Sequence, residues 1–347
     1  MLTSGVWQRI LRGIETGSYR KLPNRVLGPN RLLLLIVIGV FIAVLLSLST
    51  TPNTKLAWAP PRLLSPTVIH IKDGSGVVNL STSKDYVLKL PPRGRLGALW
   101  ITGGHNVVLV GGQITISTTA NQTDNGKDNT DTGIYIDGAT GTVHIEGVLI
   151  TSQPNVMFDG IDVNAPLATV QIENVRVDNV WGSYTTEHAD VIQTWGGFRA
   201  LRIDDLTANG DYQGLTIFPD LGPEGSVDIR DVDLTADSPP AALAATSIGG
   251  GHMLWLTGGT TSCTTASSIR LSNVYIRSDW RGLGASHIVW PQANGPDLGC
   301  RAKIRGNQVT WPSLAVEGSV TIGSPPNGPF VPVGRAGNAY RSPGYVR

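Results

Sequence analysis

One phrase recurs seven times along the chain: apolar, any residue, apolar, a corner of two or three residues, then apolar, any, apolar. Clear copies are residues 143–150 (VHIEGVLI), 170–177 (VQIENVRV), 201–206 (LRIDDL), 227–234 (VDIRDVDL) and 269–276 (IRLSNVYI), with weaker copies starting at Val107 and Ala302. The fifth position of the phrase is Gly111, Gly147, Asn174, Asp205, Asp231, Asn273 or Gly306. These residue types tolerate a left-handed backbone, so each phrase reads as two short strands joined by a tight corner. A second apolar phrase precedes each copy, as in residues 133–137 (GIYID), 160–164 (GIDVN), 190–194 (DVIQT), 214–218 (GLTIF) and 253–257 (MLWLT). One turn of structure is therefore three strands, and a stack of such turns buries each turn's apolar face against the next.

The fold expected is all-β: a right-handed, single-stranded parallel β-helix of about seven coils. Right-handed connection is the default between parallel strands. A jelly roll or sandwich would not repeat one Gly/Asn/Asp corner seven times, and a propeller would need four strands per unit. On this coil pattern and corner set, residues 67–312 resemble the right-handed parallel β-helix superfamily, often called pectin-lyase-like. The resemblance implies a carbohydrate-active protein, since members are mostly polysaccharide lyases, hydrolases, esterases and epimerases, with tailspikes and adhesins among them. The Asn174, Asp205, Asp231, Asn273 column is similar to the asparagine ladder of some members. No paired-Asp or Arg-Lys motif of polygalacturonases and no Asp-Pro-His-Asp segment of alginate epimerases is present, and fold resemblance alone does not choose a reaction.

Ahead of the repeats the composition changes. Residues 1–31 carry six bases and one acid, and residues 32–49 carry no charge. Eighteen helical residues rise about 27 Å, close to a bilayer's hydrocarbon thickness. With basic flanks held in the cytoplasm, this segment is expected to be a signal-anchor helix that places the rest of the chain outside. A cleaved signal peptide is the rival reading, with Ala57-Trp58-Ala59 as its best cleavage site. Residues 50–66, with Pro52, Pro60, Pro61 and Pro66, read as an extended tether. Residues 313–347 read as a Gly/Pro-rich tail wrapping over the last coil. Cys263 and Cys300 occupy matched positions one coil apart, so a disulfide is expected outside the cell, with two buried thiols the alternative.

Candidate chemistry gathers on the outward positions of the second phrase. With Gly133, Gly160, Asp190 and Gly214 aligned in one column, Tyr135, Asp162, Ile192, Thr216 and Trp255 form the next, and Asp137, Asn164, Thr194, Phe218 and Thr257 the third. Gln193 then falls inside the core. On this register Asp162 and Asp190 are the candidate catalytic pair, with His188 tuning them or binding substrate hydroxyls. The plainer alternative is that His188 and Asp190 hydrogen-bond to each other or to the corner. Tyr135, Asp137, Asn164, Tyr212, Phe218 and Trp255 are the expected substrate-binding residues, because sugar rings stack on aromatics.

Charge narrows the substrate. Between Asp124 and Asp237 there are 20 acids and five bases, a net charge of −15. Of those bases, Arg176, Arg202 and Arg230 fall on a different face. An acidic polymer or nucleic acid would be repelled, so a neutral polysaccharide is the expected partner. The leading expectation is a glycoside hydrolase. A non-catalytic glycan-binding or scaffold module is the alternative, and a calcium-dependent lyase or epimerase the third reading. Asp124, Asp128 and Asp131 offer calcium ligands, but their spacing departs from an EF-hand loop and no histidine pair has metal spacing. No metal or other cofactor is expected, and the loop reads as a solvated rim.

Overall fold

The computed structural model describes residues 55–117, 131–244, 250–280, 283–295 and 298–345. The basic segment, the expected membrane helix at 32–49, and Asp124 and Asp128 lie outside the described residues. Among the described residues no helix is long and apolar enough to cross a membrane.

The described chain is all-β. Twenty strands join in one long, largely parallel sheet, and the helix Ala241–Ala244 is a single turn. Apart from one hairpin near the C-terminal end, the strands pair in parallel with the strand one turn away, as a parallel β-helix requires. Leu99–Gly103 lies between Gly76–Leu80 and Thr132–Asp137, and Val107–Val110 between Tyr86–Lys89 and Thr142–Glu146. Further on, Asp159–Val180 and Asp190–Gly210 each run through a whole turn and pair in parallel along most of their length. The core is the stacked apolar alternates. Leu99, Ile134, Ile161, Ile192, Leu215, Leu254 and Val289 form one unbroken inward column, all at 0% exposure. Parallel columns run through Val143, Val170, Leu201, Val227 and Ile269, and through Ile150, Val177, Ala208, Leu234 and Ile276.

All seven predicted corner residues have positive φ, from 47° at Asp231 to 66° at Gly147. In the L-residues this conformation costs roughly 1–2 kcal/mol, and Asn and Asp bear it best. Asn273 Nδ2 donates to Asp231 Oδ1 across the column. The copy at Ala302 is the exception. Lys303–Arg305 and Gln308–Thr310 form an antiparallel hairpin around Gly306, because a glycine with positive φ serves a hairpin turn as readily as a coil corner. Val316–Ile322 takes the place expected for that copy and pairs in parallel with Ser268–Ser278, carrying the array beyond residue 312.

Cys263 and Cys300 are joined by a disulfide across a sequence separation of 37. Opening it by Cys263→Ser with Cys300→Ser is expected to cost roughly 3–4 kcal/mol through the entropy of the unfolded chain. Urea midpoints of the two forms measure this, and an unchanged midpoint would refute it.

The two irregular ends pack on the side of the stack. Leu56 is buried, the Ala57 N–H donates to Glu173 Oε2 at 2.8 Å, and the Leu64 N–H donates to Asp85 Oδ2 at 2.6 Å. The Trp58 ring lies beneath the Arg230 and Arg202 guanidiniums, 4.8 and 5.9 Å from its centroid. The tail does not wrap over the last coil; it runs back toward earlier ones. The Phe330 and Val331 N–H groups bond Asp233 and Thr207, Gly337 bonds the Gly147 carbonyl, and the Tyr340 hydroxyl donates to Glu146 Oε1 at 2.7 Å.

Candidate active site

Pairing along the outward face gives the column Trp100, Tyr135, Asp162, Gln193, Thr216, Trp255, Trp290. This corrects the expected register of one strand. Gln193 sits outward beside Asp162, and Ile192 is in the core at 0% exposure. The glycine column was the wrong anchor, since its member in that coil is Val191, whose carbonyl closely approaches Gly160. Asp190 belongs instead to the strand-entry column with Gln213 and His252. Because Ile161 faces Ile192, the residue level with Asp190 in the preceding coil is Asp159. Strand entries read Thr132-Gly-Ile, Asp159-Gly-Ile, Asp190-Val-Ile and Gln213-Gly-Leu. Aligning these on the apolar third residue would have found Asp159 from the sequence.

The corrected register assembles carboxyl groups. Asp159 and Asp162 are each 8% exposed and Asp190 is 0% exposed. Glu187, on the segment leading into Asp190, and Asp131, ahead of Thr132, add two more that are half-buried. The Asp190 N–H donates to Asp159 Oδ1 at 2.6 Å, and the Asp190 carboxylate accepts from the Thr216 hydroxyl. With its amide nitrogen turned inward, Gln213 donates to both Asp190 oxygens at 3.2 and 3.1 Å. The Thr132 hydroxyl lies 3.3 Å from Asp162 Oδ2. Asp162 Oδ1 is buried with no hydrogen-bond partner.

Burial, followed by mutual repulsion, dominates the electrostatics. Desolvation raises Asp162 well above the usual carboxylate range, and Asp131 and Glu187 add to it. Asp159 is raised by burial, then by Asp162, Glu187 and Asp190. Burial also raises Asp190, while the Thr216 bond opposes it. Glu187 is pushed up to about 7 by burial and by Asp131, with a hydrogen bond to Asp159 acting the other way. Among the described residues no arginine, lysine or histidine contributes to any of these four shifts.

These shifts set a pH dependence of stability. Each carboxyl holds its proton to higher pH folded than unfolded, so the folded state binds more protons between about pH 4 and 7. Stability therefore falls as pH rises through that window. Asp204 at about 7, Asp205 at about 6 and Glu224 at about 7, all raised first by burial, push the same way. The melting temperature is expected to be higher at pH 5 than at pH 8, and the reverse order would refute this reading of the cluster.

Aromatic groups flank the cluster. Toward the first coils, Tyr135 packs edge-on against Trp100 with ring centroids 4.4 Å apart. Burial and then Asp162 raise its hydroxyl to about 12. Asp137 and Asn164 are joined by a 3.0 Å hydrogen bond. His188 is exposed and sandwiched between Tyr184 and Tyr212, with both centroid distances 5.3 Å. It bonds the Tyr184 carbonyl, not Asp190. Toward the last coils, Trp255 stacks on Trp290 at 5.1 Å and packs with Phe218 at 6.2 Å. His252 sits against both tryptophans and is depressed to about 4, by burial first. Trp195 stands 52% exposed just past Gln193. Of these, Trp100, Tyr184, Trp195, Trp290 and His252 escaped the sequence reading. For the four that lie in strands the spacing from the apolar alternates was available; Tyr184 lies outside a regular strand.

The chain matches no family model, no curated protein and no solved structure. What the site does is therefore argued from its own groups. The cluster brings Asp162 and Asp190 into one electrostatic unit and adds Asp159, Glu187 and Asp131. Arg176 is held by Asp178 and the Val331 carbonyl, and Arg202 and Arg230 by Trp58, on the side away from it.

Proposed function

We propose that the protein is a membrane-anchored, extracytoplasmic, carbohydrate-active β-helix of the right-handed, pectin-lyase-like kind, hydrolysing a glycan that lacks acidic groups. One observation carries this reading: Asp162, a buried carboxyl raised well above the usual range by desolvation and with an oxygen that has no hydrogen-bond partner, stands in one cluster with Glu187, pushed up to about 7. Two carboxyls whose environments separate their proton affinities are the requirement for acid and base roles in glycoside hydrolysis. Asp162 is the general acid that protonates the leaving glycosidic oxygen. Glu187, ionised in half of the molecules near pH 7, takes the proton of the attacking water. Asp190, at 0% exposure and bonded by Thr216 and Gln213, positions this pair and does not touch substrate. Tyr135, Trp195 and Phe218 offer flat faces for sugar rings on either side, whereas Trp255 is buried beneath its neighbours.

The charge distribution supports a non-acidic ligand, because among the described residues no basic side chain contributes to the shifts of Asp159, Asp162, Glu187 and Asp190. Anchoring rests on the uncharged segment 32–49 with its basic flank. Incubation of the full-length protein with a panel of plant, fungal and bacterial glycans tests the activity. New reducing ends, insensitive to chelator, are expected. Unsaturated products that vanish with chelator would establish a lyase, and binding without turnover a non-catalytic module. Protease protection of residues 1–31 in sealed vesicles tests the orientation.

A further inference from the structure

The column Gln171, Arg202, Asp228, Arg270, Glu317 points outward on a different wall of the stack from the acid cluster. Along it, Trp58 and residues 314–317 border a groove of about 420 Å³. Both carboxylates of that column are already matched. Arg230 donates from Nε and Nη2 to the two oxygens of Asp228, and Arg270 Nε donates to Glu317 Oε2 at 3.1 Å. Arg202 is not matched. Among the described residues it has no ion pair and no side-chain hydrogen bond, and its guanidinium lies 5.9 Å from the centroid of the Trp58 ring. Arg230, rather than Arg202, is the arginine that acts on Asp204 nearby. A guanidinium stays ionised at any ordinary pH and offers a rigid fork of N–H donors. Ser226 and Ser268, level with each other on adjacent strands and both exposed, add two hydroxyls to the groove; Trp58 and Leu314, both partly buried, add apolar surface.

We infer that this groove is a second carbohydrate site, and that it takes a uronic-acid glycan whose carboxylate pairs with Arg202 while a sugar ring lies against Trp58. A carboxylate is the anion the wall already accommodates: Arg230 holds Asp228 with two parallel donors, the geometry that Arg202 offers to a ligand. One unmatched cation suits one negative charge. A phosphate monoester, with nearly two, would also meet the exposed Glu317 carboxylate. Sugar hydroxyls can bond Ser226 and Ser268, and the apolar face of a sugar ring stacks on indole. A neutral chain would leave the guanidinium without a counter-charge. The two walls thus sort ligands by charge, because an acidic chain is repelled by the carboxyl cluster and held here. No group of that cluster takes part, so this site stands whether or not the protein is a hydrolase.

Calorimetry of the full-length protein with matched oligosaccharides, in chelator so that no calcium bridges them, tests this. The pairs are α-1,4-galacturonate and β-1,4-mannuronate hexamers, each against its carboxyl-reduced form. In at least one pair the acidic form is expected to bind about tenfold or more tightly, and the preference should shrink as salt is raised. Arg202→Gln should erase the preference. Arg202→Lys keeps the charge without the fork and should retain only part of it; it carries the test if Arg202→Gln melts low. Trp58→Leu keeps apolar bulk without a flat face and should weaken both members of the preferred pair several-fold. Equal or tighter binding of the reduced forms would overturn the inference, as would failure of both acidic hexamers to bind. A preference that survives intact in Arg202→Gln would place the anion elsewhere and overturn it too. Tighter binding of hexa-aspartate than of either uronate would make the groove a peptide site and likewise overturn it. None of these outcomes bears on turnover of neutral glycans, which tests the hydrolase separately.

Discussion

Asp162→Asn and Glu187→Gln are each expected to lower turnover of the cognate glycan by about 10²–10⁴-fold, the usual worth of a positioned acid or base. Both replacements keep volume and relieve repulsion in a crowded, buried cluster, so neither should lower the melting temperature. The pH profile separates the roles. Wild-type activity should rise as Glu187 loses its proton, near pH 7, and fall at higher pH as Asp162 loses its own. In Glu187→Gln the acidic limb should disappear from the residual activity; in Asp162→Asn the alkaline limb should disappear. Asp190→Asn should act differently. It disturbs a carboxylate that accepts from Thr216 and Gln213, so the limbs should persist at reduced height. Loss of both limbs in Asp190→Asn, with Glu187→Gln fully active, would return the catalytic role to Asp190.

His144→Leu should produce the largest loss of stability. His144, Glu146 and Glu173 are all 0% exposed. The imidazole Nε2 is 3.0 Å from Glu146 Oε2 and Nδ1 is 3.1 Å from Gln171 Oε1, with Glu173 Oε1 4.0 Å away. Burial raises Glu173, and His144 is the first influence holding it down. Removing the imidazole from this buried, hydrogen-bonded set is expected to cost about 3–5 kcal/mol. Chemical denaturation of the parent and the variant measures the loss, and equal midpoints would refute it.

The stack was legible because its physics is periodic. Inward alternates at 134, 161, 215 and 254 and left-handed corners at 111, 147, 174, 205, 231 and 273 follow from residue type and spacing alone. The disulfide partners were legible from matched positions. The register of one strand was not, because two repeating features disagreed there. Glycine suggested one alignment and the apolar third residue another, and burial of Ile192 decides between them. That slip of one residue hid Asp159 and put Gln193 in the core. Glu187 was passed over because it lies on an irregular segment, where no period reports direction. For the same reason the contacts of residues 55–64 and 330–342 with the side of the stack were invisible: Ala57 reaches Glu173, 116 positions away, through a backbone N–H that any sequence would offer.

The fastening of residues 57 and 58 also determines how the domain bears load. A pull applied at Lys55 acts first on the Ala57 contact with Glu173 and on the Trp58 ring clasped by Arg202 and Arg230, well inside the stack. Those contacts must slide before tension reaches the opening coil at Thr67–His70. Stretching from this end should thus meet a shear step before any unzipping of rungs, and Trp58→Ala should remove that step from a single-molecule force trace.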